Sequence, residues 1–295
     1  MFSAPLSLHT DTAYELPAQW RESGADNAWT DAHLPGRDPH SYLQGACFDA
    51  DGGLWLVDTP FGRVFFISAK GEWELMARYD GWPTALRFHG DGRLVIADAR
   101  HGLLAMDTAS RKIAPFLTHH LTQRFKGVAG MVFSRAGDLY FCDRGQSGAH
   151  DPGGAVYCQT AAGQFQCLAA NIPGPNGIAL SSDEDRLLVA VAGDNAVWHM
   201  PLSGGSVSRA VRHIQLSGGN GPQGIAVDQD DNLLAAHDGM GCVWQFNKRG
   251  EPKYRIDSSR GDWTTSVAIH PHHPNEIFIT ESRTGTVLKA TLPLY

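Results

Sequence analysis

Six stretches of the chain carry residues suited to proton transfer and carbonyl recognition in one recurring frame. They open on Gln44, Thr84, Ala129, Asn176, Gln223 and Ser266, and close 14 or 15 residues later on Asp58, Asp98, Asp143, Val191, His237 and Glu281. Imidazole titrates near neutral pH, which makes His237 the first candidate for moving a proton. Asp143 is the second, because Arg144 and His150 follow it and can fix its charge or bind a substrate carboxylate. The amides of Gln44, Asn176 and Gln223 offer donors and acceptors that orient and polarise a carbonyl group. Strand-end carboxylates also cap turns through backbone N–H groups, a role that competes at Asp143 and leads at Asp58, Asp98 and Glu281. No GxSxG elbow, phosphate-binding loop or dinucleotide fingerprint occurs. GMGC at Gly239 reads as a hairpin turn and Cys242 as a strand residue, so neither marks a nucleophile.

The elements that must position these residues follow from the repetition itself. The phrases read QGACFDADGGLWLVD from Gln44, TALRFHGDGRLVIAD from Thr84 and AGMVFSRAGDLYFCD from Ala129. The later ones read NGIALSSDEDRLLVAV from Asn176, QGIAVDQDDNLLAAH from Gln223 and SVAIHPHHPNEIFITE from Ser266. Each is an apolar strand, an Asp/Gly turn and a second apolar strand, recurring every 40 to 47 residues. Periods of that size without long amphipathic helices indicate propeller blades. The expectation is an all-β, six-bladed β-propeller of four-stranded antiparallel blades, forming a single domain over residues 1–295. The last repeat leaves room for three strands, so an N-terminal segment, Ala13 to Trp20, is expected to close the ring. In that geometry the opening and closing residues form two rings at one mouth of the channel, a concave polar setting for a ligand.

Composition narrows the function classes. A formal charge of −7 gives no basic excess for nucleic acid, and 42% hydrophobic residues supply a sizeable core. The longest apolar runs, such as Leu187 to Ala192, are too short to cross a bilayer. Residues Met1 to Thr10 lack the pattern of a secretory leader, so the expected location is the cytoplasm. Five cysteines without a CxxC pair suit a reduced compartment, with Cys158 and Cys167 read as small hydrophobes. The 33 glycines are accounted for by turns that need positive φ.

These segments resemble the SMP-30/gluconolactonase/luciferin-regenerating-enzyme family from about Ser41 to Pro293. The resemblance is carried by SYLQGACFD, GRVFFISAKGEWELMARYDGWP, RFKGVAGMVFSRAGDLYFCDRGQSGAHDPGGAVY, PNGIALSSDEDRLLVAVAGDNAVW, GPQGIAVDQDDNLLAAHDG, RGEPKYRI and FITESRTGTVLKATLP. It implies a six-bladed propeller, a divalent metal, calcium or zinc, in the channel mouth, and hydrolysis of sugar lactones or related cyclic esters. The family's metal-binding glutamate and aspartate correspond to Gln44 and Gln223, while its asparagine is kept as Asn176. Thr84, Ala129-Gly130 and Ser266 replace further family residues of the second, third and sixth blades.

Hard cations draw their affinity mainly from carboxylates, so the altered anchors point to a metal-poor or metal-free pocket. A Ca²⁺ or Zn²⁺ ion, if bound, would have Gln44, Asn176 and Gln223 as ligands. The expected activity is that of a lactonase-like hydrolase opening a lactone or cyclic ester, with lyase and isomerase chemistry as variants. Gln44, Thr84, Asn176, Gln223, Ser266, Arg144, His150, Trp82 and Phe61 are the expected substrate contacts, and His237 or Asp143 the acid–base group. Trp82, Phe61 and Trp263 flank the mouth and suit a less polar, aromatic lactone. The alternatives are a non-catalytic small-ligand-binding propeller and a metal-dependent hydrolase with neutral ligands. The long connection holding His119 and His120 is of a kind that can cover a mouth, but the two histidines read first as loop surface, and His270 to Pro274 as a solvated turn.

Overall fold

Alternating apolar residues separated by tight turns produce short antiparallel strands, and six such sheets stand around one axis in this computed structural model, which describes residues 4–24 and 27–293. Blade 1 comprises Leu43–Phe48, Leu54–Asp58, Arg63–Ile67 and Trp73–Arg78. Blade 2 comprises Pro83–Phe88, Leu94–Asp98, Gly102–Met106 and Ile113–Leu117, and blade 3 Val128–Phe133, Leu139–Asp143, Gly154–Gln159 and Phe165–Ile172. Blade 4 holds Pro175–Leu180, Arg186–Val191, Ala196–Ser203 and Val211–Gln215. Blade 5 holds Gly221–Val227, Leu233–Asp238, Cys242–Phe246 and Pro252–Asp257, and blade 6 Thr264–Ile269, Glu276–Glu281 and Thr286–Thr291. The first two strands of each repeat are where the sequence phrases put them.

Ring closure differs in detail from the expectation. The outer strand of blade 6 is Asp11–Glu15, antiparallel to Thr286–Thr291 from Asp11 opposite Lys289 to Glu15 opposite Thr286. The expected segment ran on to Trp20, but Pro17 lacks an N–H for a ladder and the chain turns into a short 3₁₀ helix at Ala18–Trp20. Leu16, 2% exposed, enters the core between blades 6 and 1. A further strand escaped the repeat pattern: Leu6–His9 runs parallel to Pro252–Asp257 and gives blade 5 a fifth member.

The core is divided among the seams. Val57, Val64, Leu86 and Ile96 fill the space between blades 1 and 2. Val156, Ile178, Leu187 and Val189 do the same between blades 3 and 4, and comparable clusters occupy the other four seams. Burying such a side chain contributes about 1.5–3 kcal/mol, so each seam is a sizeable store of cohesion. Cys47, Cys142, Cys158 and Cys242 are buried, whereas Cys167 is exposed. Cys158 lies opposite Gln166, and Cys167 opposite Tyr157, so the two thiols do not face each other.

Around the channel, backbone meets backbone. A β-carbon on Gly45 would lie 2.7 Å from the Thr84 carbonyl, and one on Gly130 2.4 Å from that of Asn176. On Gly177 it would lie 2.3 Å from the Gln223 carbonyl, and on Gly224 2.7 Å from the Ser266 Cα. The remaining two seams use hydroxyls. Thr84 Oγ1 donates toward the carbonyls of Val128 (3.0 Å) and Ala129 (2.8 Å), and Ser266 Oγ accepts from the Ala46 N–H at 3.1 Å. Below this collar the channel narrows to a void of about 40 Å³.

The closing carboxylates tie loops to strands. Asp58 accepts from the Tyr42 N–H at 2.7 Å, and Asp143 from those of Lys126 (3.0 Å) and Gly127 (2.7 Å). Glu281 accepts from Trp263 N at 3.2 Å and Thr284 N at 3.0 Å. Asp98 accepts from the N–H groups of Arg100 and His101, both at 2.8 Å, and from the Tyr79 hydroxyl at 2.8 Å. Arg63, fully buried, grips Asp58 through Nε at 3.0 Å and through Nη2, and reaches Glu22 at 2.9 Å. At the opposite end of blade 6, His270 Nδ1 accepts from the His272 and His273 N–H groups in a turn, as the sequence suggested.

The collar makes a direct prediction. Gly177→Ala forces a methyl into the Gln223 carbonyl and is expected to cost about 1–3 kcal/mol. Gly90→Ala, where nothing lies within 4 Å of the added carbon, is expected to be neutral or stabilising by up to about 1 kcal/mol. Denaturant midpoints of the two variants check the pair, and equal midpoints would refute the close-approach account.

Candidate functional site

Side chains that the collar directs into the mouth form the floor of a cavity of about 600 Å³. Gln44, Thr84, Ala129, Asn176 and Gln223 all line it. Gln44 Nε2 donates to Thr59 Oγ1 at 2.5 Å, and Thr59 Oγ1 in turn donates to the Pro83 carbonyl at 2.7 Å. Gln223 Nε2 donates to Asp238 Oδ2 at 2.9 Å. The Asn176 amide has no hydrogen-bond partner among the described residues, which leaves both of its polar atoms for a ligand.

Two opposite charges occupy the walls. Asp238 ends the second strand of blade 5 and is 6% exposed. Its Oδ2 also accepts from Asn220 Nδ2 at 3.1 Å, whereas its Oδ1 has no partner among the described residues. Burial raises its pKa above the ordinary carboxylate range, and the Asn220 and Gln223 amides pull partly the other way. Arg144 follows the second strand of blade 3, where its N–H bonds the Gly127 carbonyl at 2.9 Å. Ser147 Oγ donates to the Arg144 carbonyl at 2.6 Å and accepts from Gly174 N at 3.0 Å, fastening this turn to blade 4. The Arg144 guanidinium makes no hydrogen bond or ion pair within 4 Å among the described residues. Burial lowers its pKa, and the fields of Tyr42 and Asp238 counter that shift. The Tyr42 phenol is raised well beyond its usual value by burial and by Asp238.

The cover comes from a segment outside the repeats. The helix Ala28–His33 is capped by Asn27, whose side chain accepts from Trp29 N at 2.9 Å and Thr30 N at 3.4 Å. Its Nδ2 donates to the Pro60 carbonyl at 2.7 Å and fixes the helix to blade 1. Trp29 stacks on His33 with centroids 4.9 Å apart, and His33 meets Trp82 edge-on at 5.5 Å. These three rings form one aromatic strip along the cavity. His33 Nδ1 lies 2.9 Å from the Trp29 carbonyl, which assigns the proton there and leaves Nε2 as an acceptor. Burial lowers the His33 pKa and favours the neutral ring.

Of the residues singled out from sequence, Gln44, Thr84, Asn176, Gln223, Arg144 and Trp82 share this cavity. Ser266 lies in the void beneath it, bonded to Thr280 Oγ1 at 2.6 Å. Phe61 sits under the Arg63 guanidinium at 4.4 Å, and His150 is exposed beside Gly148; neither lines the cavity. His237, 1% exposed, accepts from Trp244 Nε1 at 3.2 Å through Nδ1 and bonds the Gly218 carbonyl at 3.0 Å through Nε2. Both of its nitrogens and both Asp143 oxygens are therefore engaged, and neither residue lines the cavity. Residues His119 and His120 form a small hairpin with Gln123 and Arg124, and His120 stacks on Phe165 at 4.0 Å, against the outer strand of blade 3. That places them beside the ring and not over its mouth. Asp238, Tyr42 and His33 were not anticipated. Asp238 was one step away from the ring count, and Asn27 carried the capping signal for the cover helix.

A divalent cation fits this donor set poorly. The two anchors that would supply negative charge are amides with NH₂ groups engaged by Thr59 and Asp238, and the Arg144 guanidinium shares the space. Among the described residues, no group of three His, Cys, Asp or Glu side chains is placed to hold a metal.

Residues 36–283 match the family described as SMP-30/Gluconolactonase/LRE-like region. A lactonase, drp35, of Staphylococcus saprophyticus is 30% identical over 222 residues, covering 71% of this chain and 68% of that protein. A gluconolactonase of Xanthomonas campestris superposes with a TM-score of 0.77 at 18% identity, over 96% of this chain and 99% of its own. A calcium-binding protein, regucalcin, of Agrobacterium tumefaciens gives 0.76 at 20% identity, over 99% of both chains. With most of its length matched and its ring of six blades in place, the chain belongs to the SMP-30/gluconolactonase/LRE-like family.

Proposed function

We propose that this protein is a lactonase-type hydrolase that opens a cyclic ester with Arg144 and Asp238 in place of a bound divalent cation. The kinship to lactonases supports the reaction class. The observation that carries the assignment of roles is the unpartnered Asp238 Oδ1, buried in a cavity that also holds an unpaired guanidinium. Free polar atoms in such a setting are costly unless a ligand completes them.

The reaction follows from those groups. The lactone carbonyl oxygen accepts from Arg144 and the Asn176 amide. Asp238 Oδ1 takes a proton from a water molecule as that water's oxygen bonds to the carbonyl carbon. The negative charge forming on the carbonyl oxygen is met by the guanidinium, a stronger partner than the neutral amides alone. The ring C–O bond then breaks, and Asp238 returns its proton to the departing alkoxide, giving a hydroxy acid. Gln223 and Asn220 hold the carboxylate in place throughout, and Gln44 is held by Thr59 at the far side of the floor.

Asp238→Asn is expected to lower kcat/KM on hydrolysed lactones by about two orders of magnitude or more. The wild-type rate should fall as pH drops through a pKa above the usual carboxylate range, and the variant should lose that limb. Stability must move the opposite way. A raised folded-state pKa means that the ionised group opposes folding above that pKa, and the penalty fades as pH falls toward the unfolded value near 4. The variant therefore melts at the same temperature as wild type or higher at neutral pH. If activity survives in Asp238→Asn, the assignment is wrong. Absence of turnover on every lactone tested, while a ligand still raises the melting temperature, would make this a binding protein.

The metal-free reading has its own check. Chelation should leave wild-type turnover intact, and Ca²⁺ should leave its melting temperature unchanged. Gln44→Glu combined with Gln223→Asp adds two carboxylates to the floor of the cavity that holds Asp238 and is expected to create Ca²⁺-dependent stabilisation. Stoichiometric metal in purified wild type, with activity lost on chelation, would overturn the reading.

A further inference from the structure

Charge around the cavity is lopsided. Among the described residues, Arg37, Lys126 and Arg144 line it against a single carboxylate, Asp238, in a chain of formal charge −7. Arg37 is exposed, its guanidinium stands 5.3 Å from the Trp263 ring, and it has no acidic partner among the described residues. Lys126 Nζ bonds the Gly153 carbonyl at 2.8 Å, a neutral acceptor. Once Asp238 is set against Arg144, two cations remain.

Resting on the hydrolase reading above, we propose that the substrate is a flat lactone carrying its own carboxylate. The carboxylate is seated by Arg37 and Lys126, and the ring lies along Trp29, His33 and Trp82. Charge-assisted contacts of this kind fix a small anion, and aromatic faces favour a planar, unsaturated or aromatic body over a polyhydroxylated one. The excess positive field also draws such an anion to the mouth.

Charge conservation strengthens the assignment. Water adds across the acyl C–O bond: its oxygen becomes part of a new carboxyl group, one proton goes through Asp238 to the ring oxygen, and the other dissociates. A monoanionic lactone thus becomes a hydroxy dicarboxylate. With Asp238, the product's two carboxylates balance the three cations of the cavity, the new carboxylate arising at Arg144.

The test compares γ-butyrolactone-γ-carboxylate with its methyl ester, which differ in that one charge. Wild type should prefer the acid in kcat/KM by about tenfold or more, the scale of one charge-assisted contact. Added salt should shrink that preference. In Arg37→Met combined with Lys126→Met the ratio should fall toward one, chiefly through KM, whereas Arg37→Lys with Lys126→Arg should retain it. An ester turned over as well as the acid, or a ratio unchanged in the methionine variant, overturns the proposal. If neither lactone is hydrolysed, the carboxylate seat is judged separately from the reaction, by calorimetry with 2-hydroxyglutarate, the opened acid. Binding weakened about tenfold in the methionine variant supports the seat; no binding, or binding unchanged by the variant, removes it.

Discussion

Contact of main chain with main chain around the channel is the constraint on which the rest of this propeller depends. At four seams a glycine of one blade lies where any side chain would strike the next blade, and at the other two a hydroxyl bridges the gap. At the glycine seams this fixes the spacing of the innermost strands without reference to the residues at their heads, whereas Thr84 and Ser266 themselves supply the two hydroxyl bridges. Those residues, Gln44, Thr84, Ala129, Asn176 and Gln223, point into the mouth because their glycine or alanine neighbours have claimed the seam. Chemistry at the mouth is thereby uncoupled from the geometry of the ring.

Most acidic side chains at the rim serve that frame. Asp58, Asp98, Asp143 and Glu281 spend their oxygens on backbone N–H groups that return the chain to the next blade. They hold the rim together and leave little acceptor capacity for a ligand. Asp238 is the exception, since side-chain amides hold one oxygen and leave the other bare. Its raised pKa and the lowered pKa of Arg144 share a cause, the loss of water around charges that stand apart without forming a close pair. A group inserted between them gains from both.

The ring of six blades was legible because each repeat announces itself twice, through alternation of apolar residues and through Asp/Gly turns. The floor was legible for the same reason: its residues head the repeated phrases. The wall was missed by one residue. Counting 14 residues from Gln223 reaches His237, one short of the strand's last residue, and successive side chains of a strand point to opposite faces. His237 turns toward Trp244 and Gly218, and Asp238 turns to the cavity. The cover was illegible from the repeats because residues 27–37 lie outside them, and its one local signal, Asn27 before Ala28 and Trp29, specifies a helix start without saying where the helix docks. The closing strand was shifted for a comparably local reason, the missing donor at Pro17.

The two N-terminal strands have a consequence for how the molecule is made. Leu6–His9 and Asp11–Glu15 lie on adjacent blades, bridged at Thr10, whose N–H and hydroxyl reach the Asp257 carbonyl at 3.0 and 3.2 Å. These residues emerge from the ribosome before any of the blades, yet their partners, Pro252–Asp257 and Thr286–Thr291, emerge only after the other blades have been made. Until then the early strands have no sheet to join, and the growing arc exposes an open seam at each end. Completion of the circle thus waits for blades 5 and 6, when an early segment fastens a late one.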